Sequence, residues 1–153
     1  MNAYTFLKFL HVLSVVFWIG GVSALAFVGW RAAKERNRVL LTALLQQGMT
    51  YGQRVVAPSA GIVLLSGLAL VGIGHIGFVT FWVWFGYGGV LVHFVLGGFM
   101  IQRRSGELKQ LAAAPSGDDV ALIAAARRLR NTQIVYLILF AIVIAAMVMK
   151  PTL

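Results

Sequence analysis

The stretch YTFLKFLHVLSVVFWIGGVSALAFVGW, residues 4–30, decides the fold. It is interrupted only by Lys8 and His11. A helix needs about 20 apolar residues to cross a hydrocarbon core about 30 Å thick, and this run exceeds that. Three more runs of similar character follow: 55–74 after Arg54, 78–102 before Arg103, and 134–149 before Lys150. None alternates with period two, and an open sheet in lipid would leave backbone groups unpaired, so all four read as helices. Residues 1–153 are thus expected to form a single all-α, integral membrane domain, an up-down four-helix bundle.

Composition agrees. Of 153 residues 60% are hydrophobic and 11% charged, too little charge for a water-soluble domain of this length. Seventeen glycines suit helices that approach closely in lipid. There is no Cys, which excludes disulfide frameworks, thiolate metal sites and thiol catalysis. The formal charge of +9 does not read as a nucleic-acid surface, because the basic residues are placed by topology. Arg31, Lys34, Arg36, Arg38 and Arg54 flank the first connection, and Arg103, Arg104, Lys109, Arg127, Arg128 and Arg130 the third. The second connection, Gly74-His75-Ile76-Gly77, has no Lys or Arg. The positive-inside rule then puts the first and third connections in the cytoplasm of a bacterial-type plasma membrane, with both termini outside. The first run reads as a retained helix, since it is too long for the apolar region of a signal peptide despite Ala24-Leu25-Ala26.

Helices two and four are expected to project into the cytoplasm. Leu40, Leu41, Leu44 and Leu45 extend the second helix before Arg54, with a bend expected at Pro58. Pro115-Ser116-Gly117-Asp118-Asp119 reads as a break followed by a helix start, capped by Ser116 or Asp118. From Val120 to Met149 one helix of about 45 Å can run unbroken.

The polar inventory of the spans narrows the chemistry. Glu35, Glu107, Asp118 and Asp119 all fall in the connections, so carboxylate relays and Ser-His-Asp sets have no residues inside the membrane. Catalytic residues are not identified. What remains is Lys8, His11, His93 and, at the outer edge, His75. Intramembrane imidazole marks either an interhelical hydrogen bond or a ligand for iron, zinc or copper. On the His93 face Gly89 and Gly97 lie one turn to either side, with Gly86 beyond. That smooth trough admits a close-packed helix or the flat face of a porphyrin. Measured inward from the arginines, His11 and His93 differ in depth by about 15 Å, whereas His75 comes out level with His11. An outer site of His11 and His75 therefore competes with a His11–His93 pair, and a two-fold homodimer could pair histidines across chains.

Leu10-His11 with Trp18 and Gly20-Gly21 resembles the first helix of HemJ-type protoporphyrinogen oxidases and of CopD-like membrane domains. The ending Met147-Val148-Met149-Lys150-Pro151 is similar to the hydrophobic-Lys-Pro terminus of HemJ-like proteins. Pro58 with Ser66-Gly67 is similar to the second helix of related chains. The resemblance implies b-type haem held through His11, with porphyrinogen oxidation or electron transfer to a porphyrin or quinone-like partner. HemJ proteins are associated with a Lys in the third helix; this chain offers His93 there. Three readings stand open: a haem redox protein using His11 and His93 (with His75 as alternative ligand), copper handling through His11, His75 and the methionines, and a haem-free scaffold or assembly subunit.

Overall fold

The computed structural model describes residues 2–34, 37–78, 80–114 and 119–150. Among these there is no strand, and four long helices account for nearly all of them: α1 (Ala3–Lys34), α2 (Arg38–Ile73), α3 (Phe81–Ala113) and α4 (Asp119–Met149). All four are long and apolar enough to cross a membrane. Ser116 and Asp118, expected to cap α4, lie outside the described residues, as do Glu35, Arg36, Pro115, Gly117 and Pro151.

Both long extensions expected on α2 and α4 are present, and α3 has one as well. Its expected range was 78–102. The chain instead turns at Gly77, whose carbonyl accepts from Thr80 N (3.1 Å) and Thr80 Oγ1 (2.6 Å), and Thr80 is extended, so the helix starts at Phe81. It then continues eleven residues past Gln102. Ile101, Leu108 and Ala112 lie on one face at helical spacing, and packing that face offsets the weak intrinsic stability of a short polar helix.

Two π-helical turns interrupt the long helices, Gly52–Val56 in α2 and Leu96–Ile101 in α3. The first explains what Pro58 does. Proline has no N–H, so the Arg54 carbonyl loses its ordinary partner, and the helix widens just before the proline.

α1 packs along both halves of α2 and along α4, and lies diagonally across from α3. α2 and α3 meet closely only in their arginine-rich ends; in their membrane halves they barely touch. The core falls into two clusters. At the basic end Leu41, Leu45, Leu108, Ala112, Leu122, Ala125 and Leu129 pack together. At mid-bundle Trp18, Ala60, Val63, Tyr136 and Phe140 form the second. Polar ties hold the basic end: Asn37 Oδ1 accepts from Leu40 N (2.9 Å) as the cap of α2, Arg38 donates to Leu111 O (3.1 Å) and Asp119 (2.5 Å), Arg104 donates to Arg128 O (2.9 Å) and Thr132 Oγ1, and Lys109 donates to Gln46. Large apolar side chains such as Phe27, Leu65, Trp84, Leu91 and Phe99 point outward, the pattern of helices solvated by lipid.

Candidate functional site

His93 sits in the mid-bundle core, 3% exposed. Its Nδ1 lies 2.6 Å from the Gly89 carbonyl on its own helix, and its Nε2 lies 3.1 Å from the Tyr136 carbonyl on α4. Tyr136, Phe140 and Trp18 surround the ring edge-on, at centroid distances of 4.6, 4.8 and 6.0 Å. Trp18 Nε1 donates to Tyr136 Oη at 2.6 Å. The phenol oxygen thereby satisfies the buried indole N–H.

The glycine trough of α3 is occupied by α4. A Cβ on Gly86 would overlap Met147 Cε, one on Gly89 would overlap Val143 Cγ2, and one on Gly97 would lie 3.4 Å from Tyr136 Cε2. The small residues let two helices approach, as membrane helix pairs do without a hydrophobic drive between them.

His11 is arranged differently. It is half-buried on α1 against α2, with Nδ1 3.0 Å from Ser66 Oγ. Ser66 gives its own hydrogen to the Ile62 carbonyl at 2.5 Å, so toward the imidazole it accepts, and Nδ1 carries the proton. Cε1 and Nδ1 form the edge turned to α2, 3.4 and 3.7 Å from where a Cβ on Gly67 would be. With the proton on Nδ1, Nε2 carries the lone pair. Fixing the far ring N–H is how ligating histidines are oriented.

His75 lies in the connection between α2 and α3, exposed, at φ 50°. It is not level with His11. His11 faces Ser66 and Gly67, whereas Gly74 faces Tyr4, seven residues and about 10.5 Å further along α1. Counting depth from the arginines fails because Leu25 and Gly21, not the Arg31 region, face Gly48 and Tyr51. The basic end of α2 therefore sits deeper along α1 than its arginine suggests. His93 shares its level with Trp18, so its offset from His11 is again seven residues, about 10.5 Å rather than 15 Å.

A haem bridging His11 and His93 does not fit these residues: the rings lie at different levels, both His93 nitrogens face carbonyls, and α4 fills the trough beside it. At His11 the contact is to a hydroxyl, with Nδ1 held by Ser66. Among the described residues no three His, Asp or Glu side chains gather closely enough to hold a metal ion.

A cavity of about 360 Å³ lies on the basic side of His93. Trp18, His93 and Tyr136 close its deep end, and Val22, Leu25, Val56, Phe94 and Ile101 form apolar walls. Gln47, Gln102, Ser105, Arg130 and Gln133 supply polar groups nearer the arginines. Both π turns line it, through Gly52 and Val56 on one side and Gly97, Gly98 and Ile101 on the other. π turns recur at functional sites because they re-aim side chains and free carbonyls. No single sequence pattern marks this cavity; the Gly97-Gly98 pair followed by polar Gln102 and Ser105 was the nearest signal. Ser66 and Tyr136 were also silent, since a lone hydroxyl in an apolar run does not reveal its partner.

Fold and site together define a four-helix, multi-pass membrane protein with an internal, mostly apolar cavity. The chain belongs to the family described as predicted integral membrane protein DUF2269, whose pattern it matches over residues 5–151. No curated protein and no solved structure matches it.

Proposed function

We propose that the protein is a plasma-membrane binding protein for a largely apolar, amphipathic small molecule, held in the cavity between the two π turns. The arginine-rich helix ends face the cytoplasm in this reading, and both termini face outward, following the distribution of Lys and Arg. The observation that carries it is the cavity: about 360 Å³, within the range of small-molecule sites, with apolar walls and polar groups gathered toward one end. From His93 to Ser105 it follows α3 for about 18 Å. An apolar body lies against Val22, Leu25 and Phe94, while a polar or anionic head reaches Arg130 and Gln133. The sparse contact between the membrane halves of α2 and α3 supports lateral access from the bilayer.

Gly98 offers the test. It lines the cavity, and a Cβ there meets nothing within 4 Å, so Gly98→Leu starts a bulky side chain from open space. Protein purified in mild detergent and measured by native mass spectrometry should retain a small-molecule adduct that Gly98→Leu lacks. Identical spectra for the two proteins, both free of adduct after supplementation with total membrane lipid extract, would remove the reading.

A second reading, b-type haem on His11, is favoured by one observation, the fixed Nδ1 proton that leaves Nε2 a lone pair. It follows from the HemJ-like first-helix residues. His11 would hold the iron and Ser66 would orient His11; bound haem supplies one-electron iron chemistry. A reduced-minus-oxidised spectrum after haem supplementation decides it. An alpha band lost in His11→Ala supports the reading, and a flat difference spectrum ends it.

A further inference from the structure

α3 and α4 run antiparallel, with Gly86 against Met147, Gly89 against Val143, Gly97 against Tyr136 and Arg104 against Thr132. In such a pair the residue before each contact residue falls on the same side of the seam. Val92, before His93, and Val135, before Tyr136, therefore flank it together. Trp18 of α1 lies on the other side, against Phe94, so the side carrying Val92 and Val135 faces away from the bundle. Steps of seven residues, with about 20° of drift each, extend it into two rails: Phe85, Val92 and Phe99 on α3, and Arg128, Val135 and Ile142 on α4. Every apolar member of the rails is exposed.

At its basic end this outward seam runs into two arginines. Arg104 donates through Nη1 to the Arg128 carbonyl (2.9 Å) and to Thr132 Oγ1. Thr132 lies one turn nearer the apolar run of α4 than Arg128 does, so the Arg104 guanidinium reaches back toward the hydrocarbon, against the usual tendency of a cation to snorkel toward water. Arg128 is exposed beside it. Neither arginine joins an ion pair among the described residues, and Glu107, one turn past Arg104, stands farther from the membrane. A cation held at the edge of the hydrocarbon is costly without an anion at the same depth, and a lipid phosphate is the anion found there. We propose that the outward seam of α3 and α4 binds an anionic phospholipid. The phosphate accepts from Nε and Nη2 of Arg104 and from the Arg128 guanidinium, and an acyl chain lies between the rails. The site goes beyond the cavity, which none of these residues lines.

The experiment is native mass spectrometry of the full-length protein in mild detergent, titrated with dioleoyl phosphatidylglycerol or dioleoyl phosphatidylcholine. The two lipids share acyl chains and phosphate and differ in net charge. Phosphatidylglycerol should bind about tenfold more tightly, as expected for one charge-assisted contact. Arg128→Gln should weaken its binding by a similar factor without lowering the thermal unfolding temperature. Arg127→Gln removes the same charge one residue away, from a side of α4 turned from the seam, and should leave binding intact. Val135→Trp should weaken it by obstructing the space between the rails. Gly98→Leu should bind as the parent does, which separates this site from the cavity. Equal binding of the two lipids, equal losses in Arg127→Gln and Arg128→Gln, or loss of binding in Gly98→Leu overturns the proposal. So does displacement of the bound lipid by glycerol 3-phosphate, which would make the arginines a site for soluble phosphoesters.

Discussion

His93 on α3 holds its Nε2 3.1 Å from the main-chain oxygen of Tyr136 on α4, and the Tyr136 ring stands edge-on to the imidazole at 4.6 Å. A neutral imidazole has one N–H. With Nδ1 2.6 Å from Gly89 O, both ring nitrogens face main-chain oxygens, so the ring works as a shaped polar wedge between two helices.

Removing this wedge opens a hole beneath Trp18 and Phe140. His93→Ala is expected to destabilise the bundle by about 2–4 kcal/mol, as for other large-to-small core substitutions. Unfolding of the detergent-solubilised protein by SDS, followed by circular dichroism, measures it. A loss no larger than that of an exposed control such as Leu91→Ala would show that the ring is not part of the core.

Gly89 makes the opposite test. A Cβ there would lie 2.4 Å from Val143 Cγ2, so Gly89→Leu overpacks the α3–α4 contact at a cost of about 1–3 kcal/mol. Val143→Ala in the same chain should recover much of that loss, because touching residues are coupled. Strict additivity of the two substitutions in the same SDS titration would contradict the helix-packing role of the trough.

Pro58 is tied to the π turn at Gly52–Val56 through the carbonyl it cannot serve. Pro58→Ala restores the N–H and should let α2 continue as ordinary α-helix, rotating its basic half relative to α3. Spin labels at the exposed positions Val39 and Gln110 report this by pulsed electron resonance. The distance distribution should shift, whereas an unchanged distribution would mean that packing alone sets the turn.

The ion pair of Arg38 with Asp119 joins the starts of α2 and α4, but the Asp119 side chain is 53% exposed. Solvent screening keeps such pairs small, and Asp119→Asn is expected to cost no more than about 1 kcal/mol, less in high salt. A larger loss in the SDS titration would assign the residue a deeper role at the basic end.

Much of the architecture was legible because it follows from solvent. Lipid demands about 20 apolar residues per crossing, and the run from Tyr4 to Trp30 states that demand openly. The extension of α2 was also legible, from four leucines before Arg54. The extension of α3 was not, because Gln102 to Ala113 is polar and becomes helical by laying Leu108 and Ala112 on a core that other helices complete. His11 and His93 stood out as costly groups in lipid, yet Ser66 and Tyr136 did not, since hydroxyls are tolerated in spans and gain meaning only from what they face.

By itself the sequence determined the number of helices, their length in the bilayer and which ends carry the arginines, because hydropathy and charge act residue by residue. The tertiary structure alone decided the depth of each imidazole. Depth depends on how far one helix slides along another, which is set by contacts such as Leu25 on Gly48 and Trp18 against His93, and those contacts exist only after packing. The same packing decided which nitrogen of His11 holds a proton and that α4 fills the glycine trough.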